Sequence, residues 1–278
     1  MAITLVETHQ SFKGEQRKYR HHSDVLNCEM DFSLYLPLAS EHQPTSLIWW
    51  LSGLTCTDNN FSQKSGFQKA ASENDVAVVI PDTSPRGESV ADDDSYDLGK
   101  GASFYVNATQ APWSEHYQMY RYLTEELPEV VHALIPDFSG KESIMGHSMG
   151  GHGAMMIGLK QADRFKSISA FAPILTPTQV PWGEKAFTAY LGKDKNTWLE
   201  WDSTHLIKQA DVVPPILITQ GTNDQFYKEQ LEEATFMEAA KGKAVQYRLE
   251  NGHDHSYFTI ATFIEEHIQF HMNHLNEK

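Results

Sequence analysis

The 278-residue chain has few cysteines and no long apolar stretch. Its two cysteines, Cys28 and Cys56, are too few for a disulfide scaffold, and such scarcity is typical of a reducing compartment, so we expect a cytoplasmic protein. No run reaches the roughly 18 apolar residues of a membrane-spanning helix. Residues 1–18 lack an apolar core behind a basic start, so the sequence predicts neither a signal peptide nor a membrane partner.

Basic residues are also scarce, with 22 Lys and Arg against 37 Asp and Glu, which gives a formal net charge of −15. A chain this acidic repels the phosphates of nucleic acids and of anionic membranes, so we expect neither as a partner. A small anionic substrate, held by a local cluster of donors, remains compatible with that charge. The hydrophobic fraction of 40% excludes a disordered or fibrous chain.

Short apolar segments alternate with helix-like segments through most of the sequence. This rhythm predicts an α/β fold with a mostly parallel central sheet and helices on both faces. The predicted strands are residues 30–36, 46–51, 76–80, 143–145, 167–171, 216–219 and 245–249. The predicted helices are residues 61–72, 117–128 (with Leu127-Pro128 near its end), 149–160, 229–241 and 257–275.

Two segments interrupt the rhythm. Residues 81–100 are rich in Pro, Gly and Asp, which predicts a surface loop. Residues 172–215 are rich in aromatic side chains and show no strand pattern, so we interpret them as an excursion over one end of the sheet. The sequence therefore predicts a single α/β domain over residues 1–278.

The strongest motif is Gly-His-Ser-Met-Gly at residues 146–150, between a predicted strand and a predicted helix. A serine in such a sharp turn has a strained backbone, and glycines two residues before and after it remove side chains that would clash. Its hydroxyl projects above the sheet at the N-terminus of the helix, whose amides favour developing negative charge. We interpret Ser148 as the nucleophile of an α/β-hydrolase fold, because the flanking strand and helix disfavour a chance match.

A serine nucleophile needs a basic histidine and a carboxylate that orients it, and in this fold the chain order is serine, acid, histidine. Asp224 follows the strand at 216–219, at the sheet edge where ligand sites of open α/β sheets lie. The loop before the last helix holds both His253 and His255, and spacing alone does not decide between them. Asp254 adjoins His255 and is predicted to help cap the last helix, since sequence neighbours point their side chains apart.

Two backbone N–H groups are needed to bind the oxyanion that forms during acyl transfer. Met149, the residue after the nucleophile, is expected to supply one of them. Residues 52–55, after the strand that ends at residue 51, are expected to supply the other. His147 and His152 flank the nucleophile and are predicted to pack beside the site.

Five stretches of the sequence resemble the S-formylglutathione hydrolases, also called the esterase D family, over nearly the whole chain. They are residues 50–57 (WLSGLTCT), 101–106 (GASFYV) with Ala108 and Thr109, 146–153 (GHSMGGHG), 220–226 (QGTNDQF) and 254–258 (DHSYF). The first and last stretches are more specific than the serine motif.

The resemblance implies that His255 is the base, supports Ser148 and Asp224, and implies Leu54 as the second oxyanion donor. It also implies the reaction, which is hydrolysis of the thioester S-formylglutathione to formate and glutathione through a formyl-serine intermediate. This is the second half of formaldehyde detoxification, and it needs no metal or other cofactor. The family further implies a homo-oligomer, either a dimer or a tetramer.

Several further side chains are candidates for substrate contact. Cys56 lies two residues after Leu54 and is expected to be a nearby but non-essential thiol, while Trp182 belongs to an aromatic set expected partly to line the substrate mouth and partly to fill the core. Cationic candidates for the glutathione carboxylates are Lys64, Arg86 and Lys185, although each also fits ordinary surface charge.

Two features suggest a metal, but each has a simpler interpretation. The set His267, His271 and His274 shares one face of the last helix, yet it lacks acidic or cysteine partners. The run Asp92–Asp94 lacks the ligand spacing of a calcium loop. We therefore expect no metal site.

Two other functions fit parts of the pattern. A broad-specificity short-chain carboxylesterase would use the same residues on a different physiological substrate. A binding module on a hydrolase scaffold would not require an intact serine, acid and histidine set, which argues against it.

Overall fold

A computed structural model describes residues 3–38 and 44–277 of the chain, and these contain one sheet of nine strands. The strands are β1 (Ile3–Gln10), β2 (Gly14–Ser23), β3 (Cys28–Pro37), β4 (Thr45–Leu51), β5 (Val76–Pro81), β6 (Phe138–His147), β7 (Phe165–Phe171), β8 (Ile216–Gly221) and β9 (Val245–Glu250). Their order across the sheet is β1-β2-β3-β5-β4-β6-β7-β8-β9. The six strands β4 to β9 pair in parallel with one another. At one side of the sheet, β1, β2 and β3 add to them in antiparallel pairs.

Ten α-helical segments occur in the described residues. They are α1 (Asp58–Lys64), α2 (Gln68–Glu73), α3 (Met119–Arg121), α4 (Leu127–Leu134), α5 (Met149–Lys160), α6 (Pro181–Leu191), α7 (Ser203–Gln209), α8 (Tyr227–Gln230), α9 (Ala234–Ala239) and α10 (Tyr257–Leu275). Residues Tyr122–Glu126 form a π-helical turn, and 3-10 helices occupy Trp113–Glu115, Pro177–Gln179 and Lys195–Trp201. None of the described helices is both long and apolar enough to cross a bilayer.

Helices cover both faces of the parallel strands, which confirms the predicted fold class. Every residue of β5 is buried, as expected for a strand covered on both sides. Neighbouring residues of β4 point to opposite faces, so Trp49 packs in the larger core with α5, and Trp50 packs in the second core with α1, α2 and α10. The carboxyl ends of the parallel strands therefore lie together at one edge of the sheet. The turn from β6 into α5 lies at this edge.

The sequence did not reveal β1 and β2, which form the antiparallel edge of the sheet. Seven of the eight residues of β1 are exposed, so this strand has no alternating apolar face. Strand β2 (GEQRKYRHHS) is mostly polar and is held by regular pairing with β3. Strand β2 does bury Tyr19, His21 and Ser23, but two of these are polar, so neither edge strand shows an apolar alternation in its sequence.

Three predicted helices differ from the observed ones. The segment 61–72 contains α1 and α2, which are separated where Gly66 adopts a φ of +72°. The helix expected to end near Pro128 continues to Leu134, because Pro128 lies in the first turn of α4, where a missing N–H costs no intrahelical bond. The segment 229–241 contains the end of α8 and the separate helix α9.

The two predicted irregular segments are largely as expected. The loop 81–100 contains no helix or strand after Pro81, but it is not purely a surface loop, since Val90 and Leu98 join the larger core. Residues 172–215, all of them described, contain α6, α7 and two 3-10 helices but no strand. The single domain over residues 1–278 stays a prediction, and the continuous nine-stranded sheet supports it.

Candidate active site

Ser148 lies in a sharp turn between β6 and α5. Its backbone angles are φ 59° and ψ −119°, a conformation that non-glycine residues rarely adopt. The turn is held because the Ser148 N–H donates to the Phe171 carbonyl at 2.9 Å, and the Ser148 carbonyl accepts from His152 N at 2.9 Å. The predicted nucleophile thus occupies a strained position that its neighbours fix from both sides.

The two glycines of the motif are required by close backbone approach. A Cβ at Gly146 would lie 2.2 Å from the Gly150 carbonyl oxygen. One at Gly150 would lie 2.0 Å from the Leu51 carbonyl oxygen. Both contacts are with backbone atoms, so a side chain at either position would displace the turn or β4.

Asp224 and His255 form a hydrogen-bonded pair at the carboxyl ends of the strands. His255 Nδ1 lies 2.6 Å from Asp224 Oδ2, and the Asp224 carboxylate is buried. Because Nδ1 faces a carboxylate, it carries the proton, and Nε2 is left to accept one. The alternative histidine, His253, has its ring against Phe263 at 4.8 Å between centroids, outside this pair.

Two rings hold the imidazole of His255 in place. His147 packs against it with 4.5 Å between ring centroids, and Phe226 packs nearly perpendicular to it with 5.0 Å between centroids. Burial, together with the neighbouring His255, keeps the pKa of His147 well below its usual range, so His147 is a neutral packing partner. Sequence reasoning gave Phe226 no role, although it lies in the stretch 220–226 that carried the family resemblance.

Ser148 and His255 line the same cavity, which has a volume of about 270 Å³. The cavity opens at the carboxyl edge of the sheet, and its wall combines the serine turn, the loop after β4 and the start of α10. Its lining residues are Gly53, Leu54, Thr55, Cys56, Tyr96, His147, Ser148, Trp182, Phe226, His255, Ser256 and Tyr257.

The predicted oxyanion donors lie on both sides of the serine. Met149 is the first residue of α5, so its N–H has no partner within the helix. Leu54 lines the cavity, and the preceding Gly53 approaches the nucleophile so closely that a Cβ there would lie 3.1 Å from the Ser148 Cβ. The loop 52–57 is therefore pressed against the serine turn.

Residues 101–106 support that loop from behind, a role that sequence reasoning did not assign. Tyr105 Oη donates to the Ser52 carbonyl at 2.7 Å, and Thr55 N donates to the Gly101 carbonyl at 2.9 Å. The Phe104 carbonyl accepts from His152 Nε2 at 3.0 Å, which ties the same segment to α5. Burial lowers the pKa of His152 to about 4, so this side chain packs in its neutral form, as expected.

The two predicted substrate contacts, Cys56 and Trp182, both line the cavity. Burial raises the pKa of the Cys56 thiol, which keeps the sulfur protonated. The Trp182 indole donates to Tyr96 Oη at 3.1 Å and packs against Phe226 at 4.7 Å between centroids. The other tryptophans of the set, Trp113, Trp198 and Trp201, are buried in the larger core.

The three cationic candidates differ in their surroundings. Arg86 donates to Asp82 at 2.8 Å and to the Cys56 carbonyl at 3.1 Å, so this half-buried side chain supports the cavity wall. Lys185 is bound to Asp97 at 2.5 Å. Lys64 lies over the ring of Tyr257, 5.8 Å from its centroid, at the rim of the cavity.

Histidines of α10 take part in a buried hydrogen-bond network rather than a common ligand set. His267 contacts Thr219 and Ser169, each at 2.9 Å, and His271 contacts Ser167 at 2.7 Å and Ser169 at 2.8 Å. His274 instead pairs with Glu277 at 3.1 Å. Within the described part of the chain, no three His, Cys, Asp or Glu side chains are grouped to hold a metal ion.

Other polar residues of the motifs have structural contacts. Asp254 accepts hydrogen bonds from the backbone and hydroxyl of Ser256, and Ser256 caps α10 by accepting from Phe258 N. The Asp92 carboxylate accepts from the N–H groups of Asp93 and Lys100 within its loop.

A strained serine between strand and helix, sharing a cavity with a histidine bound to a buried aspartate, defines a serine hydrolase of the α/β-hydrolase fold. The family model described as "Putative esterase" matches residues 23–272. The chain belongs to the S-formylglutathione hydrolases of this esterase family. It is 44% identical to an S-formylglutathione hydrolase from Agrobacterium tumefaciens, over 98% of this chain and 99% of that one, with a TM-score of 0.95.

Two proteins of Staphylococcus aureus share the fold at lower identity. One is a fluorophosphonate-binding serine hydrolase, 22% identical over 94% of this chain and 100% of that one, with a TM-score of 0.73. The other is an S-formylglutathione hydrolase, 22% identical over 93% of this chain and 98% of that one, with a TM-score of 0.69. At these identities the likeness concerns the fold alone.

Proposed function

We propose that the protein hydrolyses S-formylglutathione to formate and glutathione, with Ser148, His255 and Asp224 as the catalytic residues. The observation that carries this proposal is the 44% identity, over nearly the full length of both chains, to an S-formylglutathione hydrolase. The hydrogen-bonded pair of Asp224 and His255, in the cavity that contains Ser148, supplies the machinery.

Acylation begins when Ser148 Oγ attacks the thioester carbonyl carbon and its proton passes to His255 Nε2. Asp224 holds the ring in the required tautomer and stabilises the imidazolium that forms. The N–H groups of Leu54 and Met149 bind the oxyanion, and each such donor is worth roughly 3–4 kcal/mol in the transition state. The carbon–sulfur bond then breaks, and the glutathione sulfur takes the proton from His255.

Deacylation repeats these steps with water in place of the serine. His255 removes a proton from water, the hydroxide adds to the formyl carbon, and the oxyanion returns to the same two N–H groups. Collapse of this intermediate releases formate, and Ser148 Oγ recovers its proton from His255. Every proton and electron pair is supplied by substrate, water and these side chains, so the reaction calls for no cofactor.

The cavity supplies a basis for preferring a small acyl group. Its volume of about 270 Å³ is small, and the Trp182 and Phe226 rings form one wall. We propose that Trp182 and Cys56 contact the substrate, with Cys56 as a neutral thiol. Lys64 is the cation at the rim and the proposed partner of a glutathione carboxylate.

A kinetic comparison tests the proposal. We expect kcat/KM for S-formylglutathione to exceed that for p-nitrophenyl acetate by at least about 100-fold, since binding of the glutathione moiety can be used in the transition state. Ser148→Ala should lower kcat for both substrates by about 10⁶. The matched control Ser143→Ala removes a buried hydroxyl from the same strand and should retain activity.

The outcomes separate the alternatives. Equal kcat/KM values for the two substrates would indicate a broad short-chain carboxylesterase and reject the proposed substrate. Full ester hydrolysis by Ser148→Ala would reject the serine mechanism altogether.

We also propose a homo-oligomer, dimer or tetramer, in the cytoplasm. The family resemblance supports the first part, which the mass of the particle measured by light scattering tests. Two free cysteines, one buried and one half-buried, support a reducing compartment.

A further inference from the structure

Gln220 is a buried residue near the end of β8, four residues before Asp224. Its Nε2 donates to Asp224 Oδ2 at 3.1 Å and to the Gly221 carbonyl at 3.1 Å. Neither the serine motif nor the order of serine, acid and histidine predicts a role for this side chain. Its contact with the aspartate is visible only once β8 and the following turn are folded.

The orientation of the Gln220 amide follows from its neighbours. Turning it over would place Oε1 against two acceptors, the Asp224 carboxylate and the Gly221 carbonyl, so Nε2 must face them. In the observed orientation, Oε1 is buried and has no hydrogen-bond partner among the described residues. An apolar side chain would avoid that unpaired oxygen, so stability alone does not explain a glutamine here.

The contacted oxygen is the one that binds the imidazole. Asp224 Oδ2 accepts from both His255 Nδ1 at 2.6 Å and Gln220 Nε2, while Oδ1 accepts from Phe226 N at 2.9 Å. Three donors therefore fix the plane of the carboxylate, two from the stretch 220–226 and one from the loop before α10. The bond from Gln220 also withdraws part of the negative charge that the carboxylate presents to the ring.

We propose that Gln220 is a positioning residue, which orients Asp224 and limits how strongly its carboxylate holds His255 in the protonated form. This inference rests on the proposed roles of Ser148, Asp224 and His255. The negative charge of Asp224 stabilises the protonated form of His255. A more strongly stabilised imidazolium loses its proton only at higher pH, and only the neutral ring can accept the proton of Ser148.

Other titratable groups also face His255. His147 packs against its ring, and Cys56 and Tyr257 line the same cavity. Burial keeps His147 neutral and raises the pKa values of Cys56 and Tyr257, so all three are uncharged in the neutral range. The charged groups nearby also include Asp254, which precedes His255 in the chain, and Lys64, which lies over the Tyr257 ring. Asp224 is the charged group hydrogen-bonded to the imidazole, and Gln220 contacts it directly.

The pH profile of kcat/KM for p-nitrophenyl acetate tests the inference, with active sites counted from the burst of nitrophenol. Gln220→Leu should lower kcat about tenfold with little change in KM and move the acidic limb upward by about half a pH unit, the effect of losing one charge-assisted hydrogen bond. Gln220→Met replaces the amide with an apolar side chain of similar length and should move the limb upward by a similar amount.

The matched control is Gln68→Leu. Gln68 is also buried and also uses its amide to bind neighbours, Ser62 and Gln16, but it lies at α2, outside the cavity. This variant should lose stability while its pH profile per active site stays that of the parent protein. A purely structural role for Gln220 would give the same result.

The two proposals fail in different ways. If Gln220→Leu and Gln220→Met both keep the parental acidic limb, the positioning role is wrong even though Ser148 is still acylated. If Ser148→Ala still gives a burst of nitrophenol, the catalytic assignment itself is wrong. If Gln220→Leu does not fold, an unchanged limb in Gln220→Met alone is enough to overturn the inference.

Discussion

Backbone strain at single residues is concentrated around the cavity. Of nine non-glycine residues with positive φ in the described chain, five lie in the segments that build the site. They are Thr55, Phe104, Tyr105, Ser148 and Ala172. Such conformations cost of order 1–3 kcal/mol each, so the surrounding packing must hold them. Packing around the site must therefore offset the free energy that these strained conformations cost.

The close backbone approach at Gly150, next to the strained serine, yields a prediction. We expect Gly150→Ala to lower the free energy of unfolding by about 3 kcal/mol, because its Cβ would overlap the Leu51 carbonyl oxygen. Displacement of the turn by even about 1 Å should also lower kcat about 100-fold. Urea unfolding and active-site titration measure the two effects.

Gly66→Ala is the matched control. Gly66 has a φ of +72°, and a Cβ there would meet no atom of the described residues within 4 Å apart from its chain neighbours. This variant should lose only the roughly 1 kcal/mol cost of a left-handed alanine and keep full activity. Equal stability and activity in the two variants would show that the close approach at the serine turn is not constraining.

At the scale of elements, the segment 101–106 acts as a support for the oxyanion loop. It contacts the loop 52–57 through Tyr105 and Gly101, and it contacts α5 through the Phe104 carbonyl. A Cβ at Gly153 of α5 would lie 2.6 Å from the Tyr105 ring, so helix and segment are in direct contact. The segment 101–106 and α5, which are distant from each other in sequence, thus together hold the loop that contains Leu54.

Removing one bond of this support gives the second prediction. Tyr105→Phe deletes the donor to the Ser52 carbonyl, and we expect kcat to fall about tenfold because the loop that carries Leu54 loses an anchor. The free energy of unfolding should fall by about 1–2 kcal/mol. Steady-state kinetics per active site and urea unfolding measure these effects.

Tyr35→Phe provides the comparison, since Tyr35 is also buried and also donates to a backbone carbonyl, that of Ser11 at 3.0 Å. It lies on β3, away from the cavity, so we expect a similar loss of stability with kcat unchanged. A Tyr105→Phe variant with parental kcat would contradict the supporting role of the segment.

At the scale of the whole molecule, the sequence predicts the parallel half of the sheet well and the antiparallel edge poorly. Strands such as β5 are buried on both faces and leave a continuous apolar run. By contrast, β1 and β2 are held by backbone pairing and leave no apolar pattern. Apolar periodicity detects the burial of apolar side chains. It therefore misses a strand that is exposed, as β1 is, and a strand whose buried side chains are mostly polar, as in β2.

The same distinction applies to the site. Ser148 and Asp224 follow from local signals, because a glycine-flanked turn and the end of a strand are visible in sequence. The choice of His255 over His253 required the family resemblance, and Gln220 and Phe226 required coordinates. Their contacts depend on how the turn after β8 folds back against the loop before α10, which spacing alone does not encode.

Buried histidines distributed over the whole molecule lead to a prediction about acid stability. Burial is the main cause that lowers the pKa of five of them, to about 4 in His152 and about 3 in His271. The other three are His21, His147 and His267. The folded chain keeps these rings neutral below pH 6.5, whereas the unfolded chain protonates them, so unfolding takes up protons. The contribution of these neutral rings to the free energy of unfolding is therefore fully present above pH 6.5. It is lost as the pH falls from 6.5 toward the folded-state pKa values.

We expect the free energy of unfolding, from urea titrations, to fall by at least about 2 kcal/mol between pH 7 and pH 5, the linkage of one such histidine over that interval. Carboxylates with a lowered pKa, such as Glu142 at about 2, change the free energy of unfolding only below their ordinary pKa near 4.5. They therefore do not contribute to the change between pH 7 and pH 5. His271→Gln should reduce the slope by up to one proton, because it removes one ring from the network with Ser167 and Ser169. A free energy of unfolding that stays constant from pH 7 to pH 5 would mean that the buried rings are protonated as readily in the folded chain as in the unfolded one.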